Sequence, residues 1–343
     1  MKRALLLVAG IAMVVTTAGL ALAQDDQAVL LRYKWEKGEH LDWDMTMHVT
    51  GRFGIVEGPQ AGTSLDLDNT MAMTIFADVV EVLDDGSAWV KMTLGEMNIE
   101  STLPNGQTVN IALDLASGKV RILAPGGNQP VEQDLPKEVS EIFGQGFTMR
   151  ITDRGEVKEL KGAEKLKAML ERMGGPQASA IDITQTMNWI EPYLPEKPVK
   201  PGDTWEQEKP NIFGMPGAAG AQGNKPFIIR FKHAGYSVVD GVRCVKIETT
   251  FEASGVDMSV ATAQTAATGL HQQLKGMSMR MSMVNLFSLE DHHVQSVKGT
   301  IHESGTVHQE GTIEINGREV QLNQTFQLDD VTVEIEAQRA KED

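Results

Sequence analysis

Methionine is the residue type whose placement says most about chemistry in this chain. Of 18 methionines, eight fall in three alternating sets: Met45 and Met47; Met71 and Met73; Met277, Met279, Met281 and Met283. Successive residues of an extended strand point to opposite sides, so each set occupies one face of its strand. Trp43 and Val49 share the first face, Ile75 and Val79 the second. Phe287 shares the third, which Asn285 interrupts. A thioether side chain is flexible and polarizable, and it moulds itself to irregular apolar partners. Trp43, Met45, Met47, Met71, Met73, Ile75, Met277, Met279, Met281, Met283 and Phe287 are therefore the candidate ligand-binding surface. The matching ligand is a lipid, an acyl chain or a lipoprotein.

Two other readings use the same residues. The methionines can simply fill a core, each contributing about 1.5–3 kcal/mol on burial. The protein is then a structural or partner-binding envelope component with no small ligand. Soft sulfur ligands also select Cu(I), and Met-x-Met places its two α-carbons about 6.5–7 Å apart, which long side chains can bridge. His48, however, points to the face opposite Met47, and no other histidine is tied to a methionine set. No metal or cofactor site is assigned.

The remaining reactive residues form no recognisable constellation. His292-His293, His302 and His308 fall at or beside expected turns and read as solvated. Asp66-x-Asp68-Asn69 lacks the rest of a calcium loop. There is no G-x-S-x-G, no G-x-x-x-x-G-K-[ST] and no H-E-x-x-H. The carboxylates are scattered, and no catalytic residue is assigned. Cys244 is the single cysteine, so no internal disulfide forms, and it reads as a buried apolar filler.

The elements that would position these residues are mostly strands. Val29–Glu36 and Leu41–Val49 open the series, with Gly51–Ser64 read as a loop. Thr70–Leu83 and Ala88–Thr102 form a long hairpin around Asp85-Gly86, a strong turn signal between alternating runs. Gln107–Leu115 with Lys119–Leu123, and Phe147–Thr152 with Glu156–Leu160, form two more. Helices are expected mid-chain at Pro136–Phe143, Lys161–Met173 and Ile181–Glu191. The second rests on the i, i+3, i+4, i+7 stripe of Leu166, Met169, Leu170 and Met173. Then come Phe227–Val239 with Gly241–Ala253, Met277–Leu289 with His293–Glu303, and Thr306–Ile315 with Glu319–Leu328. A last strand is expected at Val331–Ile335.

Leu194–Trp205, LPEKPVKPGDTW, divides this series. Pro195, Pro198 and Pro201 stiffen it, and Gly202-Asp203 turns the chain into a strand opening on Trp205. A similar start at Lys37-Gly38-Glu39 runs into Trp43. The organisation read from this is a signal peptide at 1–23, β halves at 24–194 and 195–336, and a charged tail at 337–343. Lys2-Arg3, an apolar run and Ala21-Leu22-Ala23 make up the signal, cut after Ala23, which predicts a periplasmic or secreted protein. Removing Lys2 and Arg3 leaves 29 of 31 basic residues against 47 acidic ones, a net charge of −18. That sign disfavours nucleic acid and anionic membrane surfaces as partners.

The R-Y-K-W-x-K-G-x opening, the D-D-G-x-A-x-V-K hairpin and P-V-K-P-G-D-T-W resemble an uncharacterised family of exported bacterial proteins. More loosely, long curved antiparallel strands with a few helices resemble the half-barrel of periplasmic lipoprotein carriers. That resemblance implies helices plugging a concave face over an apolar cavity. The expected fold is mainly β of the α+β class: long, curved, half-barrel-like antiparallel sheets with two or three helices grouped mid-chain.

Overall fold

In a computed structural model of the chain, the described residues are 27–58, 61–103, 105–127, 129–135, 137, 140, 144–164, 168, 192–209, 227–260, 271–315 and 318–340. They delimit fourteen strands. β1 is Trp43–Glu57, β2 Ser64–Val82, β3 Ala88–Thr102, β4 Thr108–Asp114, β5 Lys119–Leu123, β6 Val131–Asp134 and β7 Phe147–Ile151. β8 is Val157–Lys161, β9 Thr204–Lys209, β10 Phe227–Val239, β11 Val242–Val260, β12 His271–Ser288, β13 Val294–Ile315 and β14 Arg318–Arg339. Twelve follow one path, β6-β5-β4-β3-β2-β1-β14-β13-β12-β11-β10-β9, while β7 joins β3 and β8 joins β7. The path does not close. Strands from both sides of the Leu194–Trp205 connector share it, because β1 pairs with β14 from Trp43 opposite Arg339 to Glu57 opposite Thr325.

The expected α+β class with mid-chain helices is corrected by this architecture. Every element delimited among the described residues is a strand. Long antiparallel strands satisfy their backbone groups laterally, so the sheet needs no helical layer to complete its hydrogen bonding. The segments Pro136–Phe143 and Lys161–Met173 lie largely outside the described residues, and Ile181–Glu191 lies wholly outside them.

Several boundaries also move. Gly51–Ser64 is not a loop, because β1 continues to Glu57. A register shift between Thr50 and Arg52 absorbs Gly51, where a Cβ would lie 2.8 Å from the Val331 Cα. The strands expected separately at His293–Glu303 and Thr306–Ile315 are one strand, β13, bulged between Glu303 and Gly305. β14 likewise absorbs two expected strands and runs to Arg339, with Asp330 at positive φ (49°) near its middle.

Val29–Glu36 is not a strand of the sheet either. Together with residues up to Leu41 it is a strap. Val29 exchanges two backbone hydrogen bonds with Val199, at 2.8 and 2.9 Å. Tyr33 N donates to Asp153 O, and Gly38 N and Leu41 N donate to Val79 O and Ala77 O. Leu31, Tyr33, Trp35 and Leu41 are buried. Two arginines fix the connector against this strap. Arg32 donates to Pro195 O and Glu196 O and pairs with Asp153; Arg154 donates to Leu194 O.

Register places the buried apolar residues of the long strands on one face, while a few large ones such as Phe76 and Ile228 stand exposed. Met45 lies between Met73 and Ala337, Met73 opposite Met97, Met281 between Ile301 and Phe251, and Phe231 opposite Trp205. The other face carries the charges: Arg230 pairs with Glu206, Arg280 with Glu252 and Lys298 with Glu336. The apolar face is concave. Val90 and Met92 of β3 line the same cavity as Met283 of β12, yet these strands are five spacings apart along the sheet. A flat sheet would separate them by about 24 Å.

Candidate functional site

The inner face encloses a cavity of about 290 Å³. β1 and β2 contribute Trp43, Met45, Ile75 and Ala77, β3 contributes Val90 and Met92, and β7 and β8 contribute Met149, Ile151 and Val157. Met283, Val294, Val297, Ile335 and Ala337 come from β12–β14, and Trp35, Leu41, Gly155 and Pro192 from connecting segments. No charged side chain is among these residues. The strap closes one end, with Tyr33 and Trp35 stacked at 5.4 Å and Phe287 edge-on to Tyr33 at 5.4 Å.

The sequence-predicted residues divide among three environments. Trp43, Met45, Ile75 and Met283 line the cavity. Met47, Met71 and Met73 continue the same face half-buried, with Met47 paired to Met71 and to Ile335. Met281 and Phe287 are core, Met281 against Phe251 and Phe287 opposite Val245. Met279 stands between Ala253 and Glu303, and Met277 lies over Gly305, where a Cβ would collide with its sulfur.

Trp35, Leu41 and the β7–β8 residues escaped the sequence reading. The Leu31, Tyr33, Trp35 alternation marks a buried face, but an alternating strap and an alternating strand look alike until a partner edge is known. Met149 and Ile151 carry the same signal in a segment too short to stand out.

Behind Trp35 lies a polar cluster. The His293 ring sits 5.1 Å from the Trp35 ring, and its Nε2 is 3.3 Å from Glu39 Oε1 without hydrogen-bond geometry. Arg339 Nη2 reaches the same Glu39 oxygen at 3.6 Å. Burial drives the His293 pKa down to about 4, helped by the Arg339 charge, and burial raises that of Glu39. His293 is therefore a neutral core imidazole, which corrects its reading as a solvated turn residue. Three other histidines have local partners: His48 with Asp68 at 2.9 Å, His302 with Thr332 and His308 with Thr325 at 3.0 Å each, whereas His233 is buried with neither ring nitrogen hydrogen-bonded. Among the described residues no group of three or more His, Cys, Asp or Glu is placed to hold a metal ion. Cys244 is buried, and burial pushes its thiol up to about 11.

Besides the buried His233, Lys209 and Glu303 are ionisable side chains on the inner face away from the cavity. Lys209, at the end of edge strand β9, is 3% exposed. Register puts it on the Trp205 side, opposite Phe227, and burial lowers its ammonium to about 8. Glu303 is half-buried opposite Met279 and Val331, and burial raises its carboxyl. Neither pattern was read from the sequence, where Glu206-Gln207-Glu208-Lys209 passes for a solvated strand end.

No family model matches the sequence, and no curated protein is detectably similar to it. The exported-protein family suggested by the motifs is therefore not identified by these comparisons. Among solved structures, one from work on lipid–protein interactions in lipovitellin aligns over 90% of this chain at 10% identity and a TM-score of 0.41. The chain spans about a quarter of that protein, 26% of its length. An outer membrane channel from Pseudomonas putida F1 aligns over 89% of this chain and 97% of its own, at 8% identity and TM-score 0.22. A third structure, from a study of asymmetric conductivity in engineered proteins, covers 87% of this chain and 100% of its own at 6% identity and TM-score 0.21. At these scores the likenesses carry no argument about activity. Among the described residues no helix is long and apolar enough to cross a membrane.

Proposed function

We propose that this is an exported, non-enzymatic binding protein whose concave sheet face takes up a hydrophobic ligand, a lipid or acyl chain. The observation that carries the reading is the cavity of about 290 Å³, walled by apolar side chains from eight strands and closed at one end by the Trp35 strap. A core built only for stability fills such a space, because interiors pack to the density of organic crystals and empty volume costs stability. A site for a small apolar molecule keeps it open. Methionine on the walls suits a chain-like ligand with no fixed shape.

Native mass spectrometry of the mature protein, together with uptake of octanol measured by calorimetry, tests this reading. Filling the cavity from its small wall residues, by Ala77→Leu or Ala337→Leu, should abolish uptake while the variants stay folded by circular dichroism. Uptake unchanged in both folded variants, or no ligand bound by the wild-type protein at all, would refute it.

A further inference from the structure

The hydrophobic-ligand reading leaves Lys209 unexplained. A lysine that is 97% buried normally lies against a carboxylate, because an unpaired charge out of water is costly. Among the described residues no such partner exists. The carboxylate that acts on Lys209 is Glu156, which lies outside ion-pair range and is itself held by Lys158 at 2.8 Å. Glu156 sits between Gly155 and Val157, both in the cavity wall.

The surface beside Lys209 is apolar and only partly covered. Phe227 stands opposite it on β10, with its ring edge-on to Phe251 at 5.2 Å. On the same face Ala253 pairs with Met279, and Met279 pairs with Glu303. Phe227, Ala253 and Met279 are half-buried. A positive charge thus begins an apolar stripe that ends on a carboxyl group. An anion fits at the Lys209 end and is repelled at the Glu303 end, which fixes the direction in which an amphiphile can lie.

We propose, on top of the hydrophobic-ligand reading, that Lys209 receives the anionic head of an amphiphile whose apolar chain lies along Phe227, Ala253 and Met279. The ammonium is a point charge on a flexible stem, so a carboxylate or a phosphate head satisfies it equally. An ion pair formed in this partly dry setting favours the anionic ligand over its uncharged counterpart.

The test is calorimetric titration of the mature protein at pH 7 with octanoate, octyl phosphate, octanol and acetate. Both octyl anions should bind about tenfold more tightly than octanol, and acetate should not bind, since the chain supplies the remaining affinity. Lys209→Met should bring octanoate and octyl phosphate down to the octanol level and leave octanol binding intact. Lys232→Met, on the charged face beside Glu248, should change nothing. If wild-type protein binds octanol and the anions equally, or Lys209→Met keeps the preference, the Lys209 assignment fails and the hydrophobic-ligand reading stands. If acetate alone binds at Lys209, the site takes a free anion and the amphiphile proposal fails. If neither octanol nor the octyl anions bind, both readings fall.

Discussion

Lys209→Met should make the ligand-free protein more stable at neutral pH. Burial lowers the Lys209 pKa from its ordinary 10.5 to about 8. At about 1.4 kcal/mol per pKa unit, the fall corresponds to about 3 kcal/mol of destabilisation, fully present below pH 8. Between pH 8 and 10.5 the unfolded chain holds more protons at this position than the folded one, so stability rises with pH across that window. Methionine has nearly the same length, no charge to desolvate, and an apolar neighbour in Phe227. Urea unfolding from pH 7 to 10.5 measures the effect. The variant should exceed wild type by about 3 kcal/mol at pH 7, and the gap should shrink steadily toward pH 10.5. A variant less stable than wild type at pH 7, or a gap independent of pH, would show that the ammonium is satisfied in the folded protein and refute the reasoning.

His293 should set the acid limit. Its pKa falls from 6.5 to about 4 on folding, so stability is lost as pH drops from 6.5 toward 4. His293→Phe should flatten that loss in urea titrations, while the raised Glu39 carboxyl contributes with the opposite sign in both proteins. Gly299→Ala should cost about 1–3 kcal/mol by overpacking, because its Cβ would lie 2.6 Å from both Met283 Cγ and Ser282 O; a thermal midpoint equal to wild type would contradict that close approach. Cys244 should resist a thiol-specific disulfide reagent at pH 8 in the folded protein and react at once in urea, given its burial and a thiol pushed up to about 11. Phe287→Ala should cost about 3–5 kcal/mol, as a fully buried ring in contact with Tyr33.

The strands that the sequence shows most clearly are those bounded by strong turn chemistry. β10 and β5 match the predicted limits, and β3 begins after Asp85-Gly86, where Gly86 takes φ of 79°. Asp240-Gly241 turns β10 into β11 with both residues at positive φ. Glycine and serine misled the reading where they mark bulges rather than turns. Gly51 and Gly305 sit inside long strands at points where a partner backbone or side chain approaches too closely for a Cβ. A single sequence gives no access to that approach, because it depends on the neighbouring strand. The candidate site was legible in part for the same reason. Alternation identifies which side chains share a face, but not where along that face the sheet curls most tightly. Trp43 and Met45 reach the cavity and Met47 and Met71 do not, although all four follow one pattern.

The hollow itself has an origin in residue size. Around the cavity the inner face places Ala77 opposite Met92, Ala337 between Met45 and Val297, and Gly299 between Ile335 and Met283. Each small residue sits beside a large one, which can lie flat against the backbone there instead of standing into the interior. Met283 does so over Gly299, within 2.6 Å of where a side chain would begin. Packing for stability alone would put branched apolar residues at all three positions, since each methylene moved out of water contributes about 0.8 kcal/mol. Where the strap crosses, the same face carries the large buried side chains of Tyr33, Phe287, Val245 and Ile247. The open part is therefore the part where four methionines and three small residues, Ala77, Gly155 and Ala337, are interspersed among the branched and aromatic side chains of the wall.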